Sequence, residues 1–223
     1  MRSELAHVRN WIFDLDNTLY PPSTNLFAPI DARMGEYIMR LKGCGAEEAR
    51  RIQKQYFFTH GTTMAGLMAE HAIDPHEYLD FVHDVPMDVL TPNDALVAAI
   101  ARLPGRRLIF TNADAPYAGR VLARIGLHDS FEAVHDIHAT GFRPKPDPVS
   151  YHSLCDAFGL APAESLFVED LARNLRPAKA IGMTTVWVDN GSEQPPDCVD
   201  RSYVDHRTED LGAWLHEILE EPA

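Results

Sequence analysis

The sequence predicts an α/β fold, with a doubly wound, Rossmann-like core on a mainly parallel sheet and one all-helical subdomain inserted behind the first strand. Three observations predict it. A strand-like segment whose apolar residues are Val8, Trp11, Ile12 and Phe13 ends in a pair of acids, Asp14 and Asp16. Residues 21–90 carry helical periodicity and no convincing strand, and from about residue 91 helix and strand segments alternate. Such alternation marks βαβ units, whose strands assemble into a parallel sheet. The expected division is a core domain of residues 1–20 and 91–223 and a helical subdomain of residues 21–90.

Val8, Trp11, Ile12 and Phe13 supply the first strand, and Asn17-Thr18 supplies turn chemistry behind it. In the insertion, Ile30, Met34, Tyr37, Ile38 and Leu41 recur at helical spacing. Three further helical stretches follow, Ala46 to Phe58, Thr62 to Ala72 and Pro75 to Val85, punctuated by Gly43, Gly45, Gly61 and the step Asp74-Pro75. The core then resumes with helix Asn93 to Leu103, strand Arg107 to Thr111, helix Ala115 to Ile125 and strand Phe131 to Ile137. Helix Val149 to Phe158, strand Ser165 to Val168, helix Ala172 to Ile181 and strand Thr184 to Val188 come next. A short strand near Tyr203 and a helix from Glu209 to Leu219 close the series.

Composition narrows the function classes. The chain of 223 residues has 33 Asp+Glu against 20 Lys+Arg, a formal net charge of -13. A nucleic-acid polymer requires a basic surface, so it is not an expected partner. An anionic small molecule remains possible through a metal ion, one or two placed cations and helix N-termini. The cysteines Cys44, Cys155 and Cys198 form no CxxC pair and are expected as free thiols. Residues 1–10 lack an apolar leader core, and no run is long enough to span a bilayer, so the expected address is the cytoplasm.

Ligands of open parallel sheets bind beyond the carboxyl ends of the strands, so polar residues there are the candidates. The first strand offers Asp14 and Asp16, which share one side of an extended chain because side chains alternate. Asp is disfavoured inside strands, so the pair is either a turn-and-cap device or a site. The next strand offers Thr111 and Asn112, which otherwise read as an N-cap. Lys145 sits in the proline-rich loop Arg143 to Pro148, extended ahead of a helix; by itself it reads as a solvated lysine. Glu169 and Asp170 follow the strand Leu166-Phe167-Val168, and could equally cap the next helix. Their joint occurrence in order favours a site over four separate structural explanations.

Asp14-Leu15-Asp16-Asn17-Thr18-Leu19, Phe110-Thr111-Asn112, Lys145-Pro146 and Phe167-Val168-Glu169-Asp170 together resemble the four motifs of the haloacid dehalogenase superfamily, predominantly phosphatases. The resemblance covers essentially the whole chain, and the helical insertion matches the cap that many members carry. Tyr20-Pro21, the stretch from Tyr56 to Leu67, and Phe110 to Ala113 resemble the pyrimidine 5'-nucleotidase branch.

That resemblance implies a phosphomonoester hydrolase. Asp14 would be the nucleophile forming an aspartyl-phosphate, and Asp16 the general acid/base. Mg²⁺ would be held by Asp14, the backbone carbonyl of Asp16, Asp170 and Glu169. Lys145 would pair with Asp14 and the phosphoryl group, while the Thr111 hydroxyl and the Asn112 backbone N–H donate to phosphoryl oxygens. Asn174, one helical turn after Asp170, would either orient a metal ligand or face solvent. No acid occupies the positions after Asp170, where Leu171, Ala172, Arg173 and Asn174 stand. Within the superfamily, dehalogenation needs no acid for the leaving halide, so Asp16 argues against it. A sugar-phosphate phosphatase, a phosphomutase and an inactive binding protein remain as alternatives, and the chain is expected as monomer or homodimer. In the cap, His60, Thr62 and Thr63 flank Gly61 as candidate substrate contacts, while Met64 and Met68 read as packing. His135 with His138 and His71 with His76 lack a zinc-site partner set and are expected at the surface or at helix ends.

Overall fold

The apolar run before the two acids folds as β1 (Asn10–Phe13), every residue of which is buried. In this computed structural model, which describes residues 3–195 and 200–220, β1 pairs in parallel with β2 (Arg106–Phe110) on one side and β4 (Ser165–Glu169) on the other. Cys198 lies outside the described residues. With β3 (Ala133–His135), β5 (Thr184–Val188) and β6 (His206–Thr208) the sheet has six strands in the order β3-β2-β1-β4-β5-β6. All five pairings are parallel, where a mainly parallel sheet is expected. The order reverses at β1, so its carboxyl end lies at the switch point where open α/β sheets bind ligands.

Period-two alternation sorts the sheet into two packed faces. Trp11 and Phe13 join Ile109, Val168 and Val186 in one apolar cluster. That cluster takes in α5 (Asp94–Ala101), α6 (Ala115–Arg124) and α9 (Leu211–Glu220). Ile12 joins Leu108, Phe110 and Phe167 on the other face, under α7 (Pro148–Phe158) and α8 (Ala172–Ala180). Asn93, Asp114 and Asp147 cap α5, α6 and α7 through side-chain bonds to backbone N–H groups.

Between β1 and α5 lie α1 (Phe27–Lys42), α2 (Ala46–His60), α3 (Thr63–His71) and α4 (Pro75–His83). Their shared interior contains Ile38, Ile52, Leu67, Tyr78 and Val82. Gly66 lets α3 approach α2, since a Cβ there would meet the Tyr56 ring at 2.3 Å.

Two edge strands differ from expectation. The strand expected over residues 131–137 is paired only over Ala133–His135. The strand expected near Tyr203 forms at His206–Thr208 instead. Tyr203 is buried by loop packing, and its carbonyl accepts the Thr185 hydroxyl at 2.6 Å. An edge strand has one neighbour, so burial alone does not mark its register.

Candidate active site

Asp14 follows β1 directly, and its N–H donates to the Val168 carbonyl at 2.9 Å, which continues the ladder. Its two carboxylate oxygens are separately engaged. Lys145 Nζ donates to Oδ1 at 2.6 Å and the Thr18 hydroxyl donates to Oδ2 at 2.9 Å. Lys145 is 1% exposed, not the solvated lysine its type suggests. Its ammonium also donates to Glu169 Oε2 and to the Phe110 carbonyl, each at 2.8 Å, so all three of its protons have acceptors. Burial opposes the charge, but Asp14 and Glu169 outweigh it and hold Lys145 above the usual lysine range. The Phe110 and Phe167 rings lie 5.1 and 5.3 Å from Nζ and complete the enclosure.

Asn112 contributes through its side chain. Its Oδ1 accepts from the Lys145 N–H at 2.8 Å and its Nδ2 donates to the Lys145 carbonyl at 3.2 Å. This two-point clamp positions the lysine loop, a role beyond the backbone donation expected of Asn112. Thr111 is buried after β2; its Oγ1 accepts from the Ala113 N–H at 3.0 Å, which leaves the hydroxyl proton to donate elsewhere. The N-cap alternative for Thr111-Asn112 fails, because Asp114 is the cap of α6. Glu169 Oε1 accepts the Leu171 N–H at 3.1 Å, while the Ala172 N–H at the start of α8 goes to Gln194 Oε1 at 3.0 Å. Leu171, the residue at the cap position of α8, makes no side-chain cap bond.

Asp14, Glu169 and Asp170 are buried, and their ligand oxygens lie within 4.8 Å of one another. Burial, then Glu169, push the Asp14 carboxyl up to about 7 against the pull of Lys145. Burial, Glu169 and Asp14 push Asp170 well above the usual range. Among the described residues, Lys145 is the one lysine or arginine that is fully buried, and it pairs with two of these three acids, Asp14 and Glu169. Asn174 is 2% exposed, which rules out the solvent-facing alternative. Its Oδ1 is buried with no hydrogen-bond partner among the described residues, on the same cavity wall as the acids. Surplus negative charge, an oxygen-only donor set and an orphaned acceptor able to receive a hydrogen bond from a cation's hydration water fit a hard divalent cation such as Mg²⁺.

Asp16 is half-buried, and its Oδ1 accepts two hydroxyls, from Tyr20 at 2.5 Å and from Tyr117 at 2.7 Å. Burial pushes Asp16 up and the two hydroxyls pull it down, with a net upward shift. Asn17, behind it, adopts the left-handed region at φ 59°, a conformation asparagine tolerates.

These residues open on a cavity of about 450 Å³ between the sheet and the helical insertion. Asp14, Asp16, Thr111, Asn112, Lys145, Glu169 and Asp170 line its floor, and Met34, Arg50, Gln53, Phe57, Thr62 and Thr63 line the insertion side. Thr62 also caps α3 by accepting the Ala65 N–H, and the Thr63 hydroxyl donates to the Gln53 carbonyl. His60 is not brought to the cavity: its ring lies against Tyr56, and its Nε2 is 4.0 Å from Glu70. Gly61, at φ 87°, meets the lysine loop so closely that a Cβ would lie 3.3 Å from the Lys145 carbonyl oxygen. Arg173 binds the insertion from the core, donating to the Phe57 and Gly61 carbonyls at 3.1 and 2.8 Å. Met64 packs in the insertion core, as expected, but also lines the cavity. Of the other histidines, His135 is buried and bonded to Ser153 rather than at the surface. His76 stacks on His138, with ring centroids 4.9 Å apart, and His71 meets the Tyr56 hydroxyl at 3.0 Å.

A family model described as haloacid dehalogenase-like hydrolase matches residues 8–182. The chain belongs to this family. Among curated relatives of this haloacid dehalogenase-like hydrolase, Phosphate metabolism protein 8 of Saccharomyces cerevisiae is 27% identical over 95% of this chain and 71% of its own length. The (S)-2-haloacid dehalogenase of Xanthobacter autotrophicus is 30% identical over 72% of this chain and 66% of its own length. Among solved structures, a HAD phosphatase from Thermococcus onnurineus superposes with a TM-score of 0.63 at 18% identity, covering 96% of this chain and 98% of that one. The haloacid dehalogenase-like YfnB from Bacillus subtilis, bound to magnesium, has a TM-score of 0.58 at 16% identity, covering 95% and 98%. At these identities the structural likeness shows a common fold.

Tyr20, Tyr117, His83 and Thr18 surround the candidate site and were not singled out for a role by the sequence reading. Thr18 and Tyr20 stand four residues after Asp14 and Asp16, a spacing visible in the sequence. Nothing local in the sequence links Tyr117 or His83 to the acids.

Proposed function

We propose that the chain is a Mg²⁺-dependent phosphomonoester hydrolase that works through an aspartyl-phosphate on Asp14, with a pyrimidine nucleoside 5'-monophosphate as substrate. Asp16 carries the reading. A halide leaves as a stable anion, whereas an ester oxygen leaves as an alkoxide that needs a proton, and Asp16 beside Asp14 is the residue to supply it. The two family relatives named above include a dehalogenase, so this position is what separates the chemistries.

In this mechanism an Asp14 carboxylate oxygen attacks phosphorus and the ester P–O bond breaks. Asp16 gives its proton to the departing oxygen, then takes one from the water that opens the acyl-phosphate. The Thr111 hydroxyl and the Asn112 N–H donate to the phosphoryl oxygens as charge develops there, while Lys145, its three protons engaged by Asp14, Glu169 and the Phe110 carbonyl, contributes its positive charge. A divalent cation at Asp14, the Asp16 carbonyl, Asp170 and Glu169 would neutralise phosphoryl charge when bound. Glu169 ranks behind Asp170 because Lys145 already occupies one of its oxygens.

We assign residues 21–90 as the cap that selects the leaving group. A cavity of about 450 Å³ suits a nucleotide-sized molecule. Phe27, Met34 and Phe57 offer apolar faces for a ring, with Asn25, Asp31 and Gln53 as polar contacts. Thr62 and Thr63 belong to the same proposed contact set, and His60 drops out of it on position. The reading includes the cytoplasm as address; no described helix is long and apolar enough to cross a membrane.

A phosphate-release assay with Mg²⁺ over nucleotides, sugar phosphates and pyridoxal phosphate tests the reading, with highest kcat/KM expected for a pyrimidine 5'-nucleotide. A clear preference for a sugar phosphate overturns the nucleotidase part. Halide release from a 2-haloacid without phosphatase activity overturns the reaction class, and isomerisation of a phosphosugar with little free phosphate makes the chain a mutase.

The acid cluster also predicts how metal and pH act on stability. In the metal-free protein Asp14 and Asp170 have carboxyl pKa values raised above those of the unfolded chain. The folded state then binds more protons, so stability present at low pH is lost as pH rises towards about 7, the Asp14 value. A cation competes with those protons. Mg²⁺ is therefore expected to raise the Tm of chelator-treated protein by several degrees at about pH 8 and by little at about pH 5. An equal rise at both would exclude the carboxylates as the binding site.

A further inference from the structure

We propose that Tyr117 is a positioning residue for Asp16, locked in place by the cap residue His83, and that this clamp serves protonation of the leaving group. Both hydroxyls that reach Asp16 end on the same oxygen, Oδ1. Among the described residues nothing donates to Oδ2, and Asp16 lines the cavity. A carboxyl held in this way has one oxygen fixed as acceptor and the other left to carry the proton, aimed by rotation about a bond that two hydroxyls restrain.

The clamp is built across two parts of the fold. Tyr20 reaches Asp16 from four residues along the same loop, whereas Tyr117 comes from α6, 101 residues away. Tyr117 is 1% exposed, and its ring stacks on His83 of α4 with centroids 4.2 Å apart and planes at 21°. His83 is fixed in turn: its Nδ1 lies 2.5 Å from Asp114 Oδ2, and its carbonyl accepts Arg120 Nη2 at 2.5 Å. A carboxylate only accepts, so Nδ1 carries the proton of that bond. Asp114 also caps α6 at the Tyr117 N–H, 2.7 Å away. The helix start that presents Tyr117 and the cap residue that stacks on it therefore share one carboxylate. Correct seating of α4 on the core and correct aim of Asp16 become one event.

This inference rests on the phosphatase reading, and leaving-group chemistry tests it separately. Tyr117→Phe removes the hydroxyl and keeps the ring. kcat/KM covers steps up to leaving-group departure, so it isolates the acid role of Asp16 from its later role as base. With a primary alkyl phosphate, whose alkoxide needs a proton, kcat/KM is expected to fall about 10- to 100-fold, a part of what general acid catalysis supplies. With p-nitrophenyl phosphate, whose phenolate leaves unaided, the fall is expected to stay within about threefold. Tyr20→Phe is expected to show the same selectivity, and His83→Leu, which frees the Tyr117 ring, likewise. Equal losses on both esters in variants that melt like wild type would reduce Tyr117 to a packing residue and overturn the inference. A wild-type chain that hydrolyses neither ester overturns the phosphatase reading, and this inference with it.

Discussion

Asp14→Asn is expected to remove turnover, with kcat/KM down at least about 10⁴-fold, the scale of loss when a nucleophile is deleted. The carboxamide is a poor nucleophile and cannot form the acyl-phosphate that water then opens. Folding is expected to survive. Lys145 keeps Glu169 and the Phe110 carbonyl as acceptors, and an amide oxygen at position 14 can still accept from Thr18 or Lys145. In the metal-free state the variant is expected to be at least as stable as wild type near pH 7.5. The reason is that burial and Glu169 already strain the Asp14 carboxylate, as its pKa of about 7 records. Activity and stability therefore move in opposite directions, the trade-off that charged sites commonly carry. Phosphate release and a thermal melt on the same preparation check both halves. A folded variant with near-normal turnover would dismiss Asp14 as the nucleophile.

The motif residues were legible because their placement follows from rules that act along the chain. Asp14, Thr111, Glu169 and Asp170 each sit at the carboxyl end of a strand, and a parallel sheet gathers those ends at one edge whatever the loops do. Burial of β1 on both faces made its apolar run readable too. What lay across the cleft was not legible. Asn112 reads as a turn residue, yet its amide clamps the backbone of a lysine 33 residues on. His83 drew no reading from the sequence, yet it stacks on Tyr117, whose hydroxyl donates to Asp16. His60 and Thr63 are three residues apart in one motif-like stretch, but the turn at Gly61 sends only Thr63 to the cavity wall. Periodicity assigns a residue to a face of its own element; it does not say which partner meets that face.

Lys145→Met is expected to damage the fold as well as the reaction, because the lysine is the buried counter-charge of the acid cluster. Methionine matches the aliphatic stem and can pack between the Phe110 and Phe167 rings, so little of the effect comes from lost volume. The effect comes from charge: the buried carboxylates of Asp14 and Glu169 lose a cation at 2.6 and 2.8 Å. Breaking a buried pair from one side costs about 3–5 kcal/mol, or very roughly 10 °C in Tm for a chain of this size. The sign with pH follows from linkage. Without the ammonium the remaining carboxyls fold more readily protonated, so folding takes up protons and the penalty grows as pH rises. The loss is expected to be small near pH 5 and full near pH 8, with Mg²⁺ recovering part of it at the higher pH by supplying another positive charge. Urea unfolding midpoints at the two pH values, with and without Mg²⁺, measure this directly. A pH-independent loss would mean that Lys145 acts by packing alone. Catalysis should not return with the recovered stability, because the cation cannot replace the ammonium that pairs with Asp14 Oδ1 during attack.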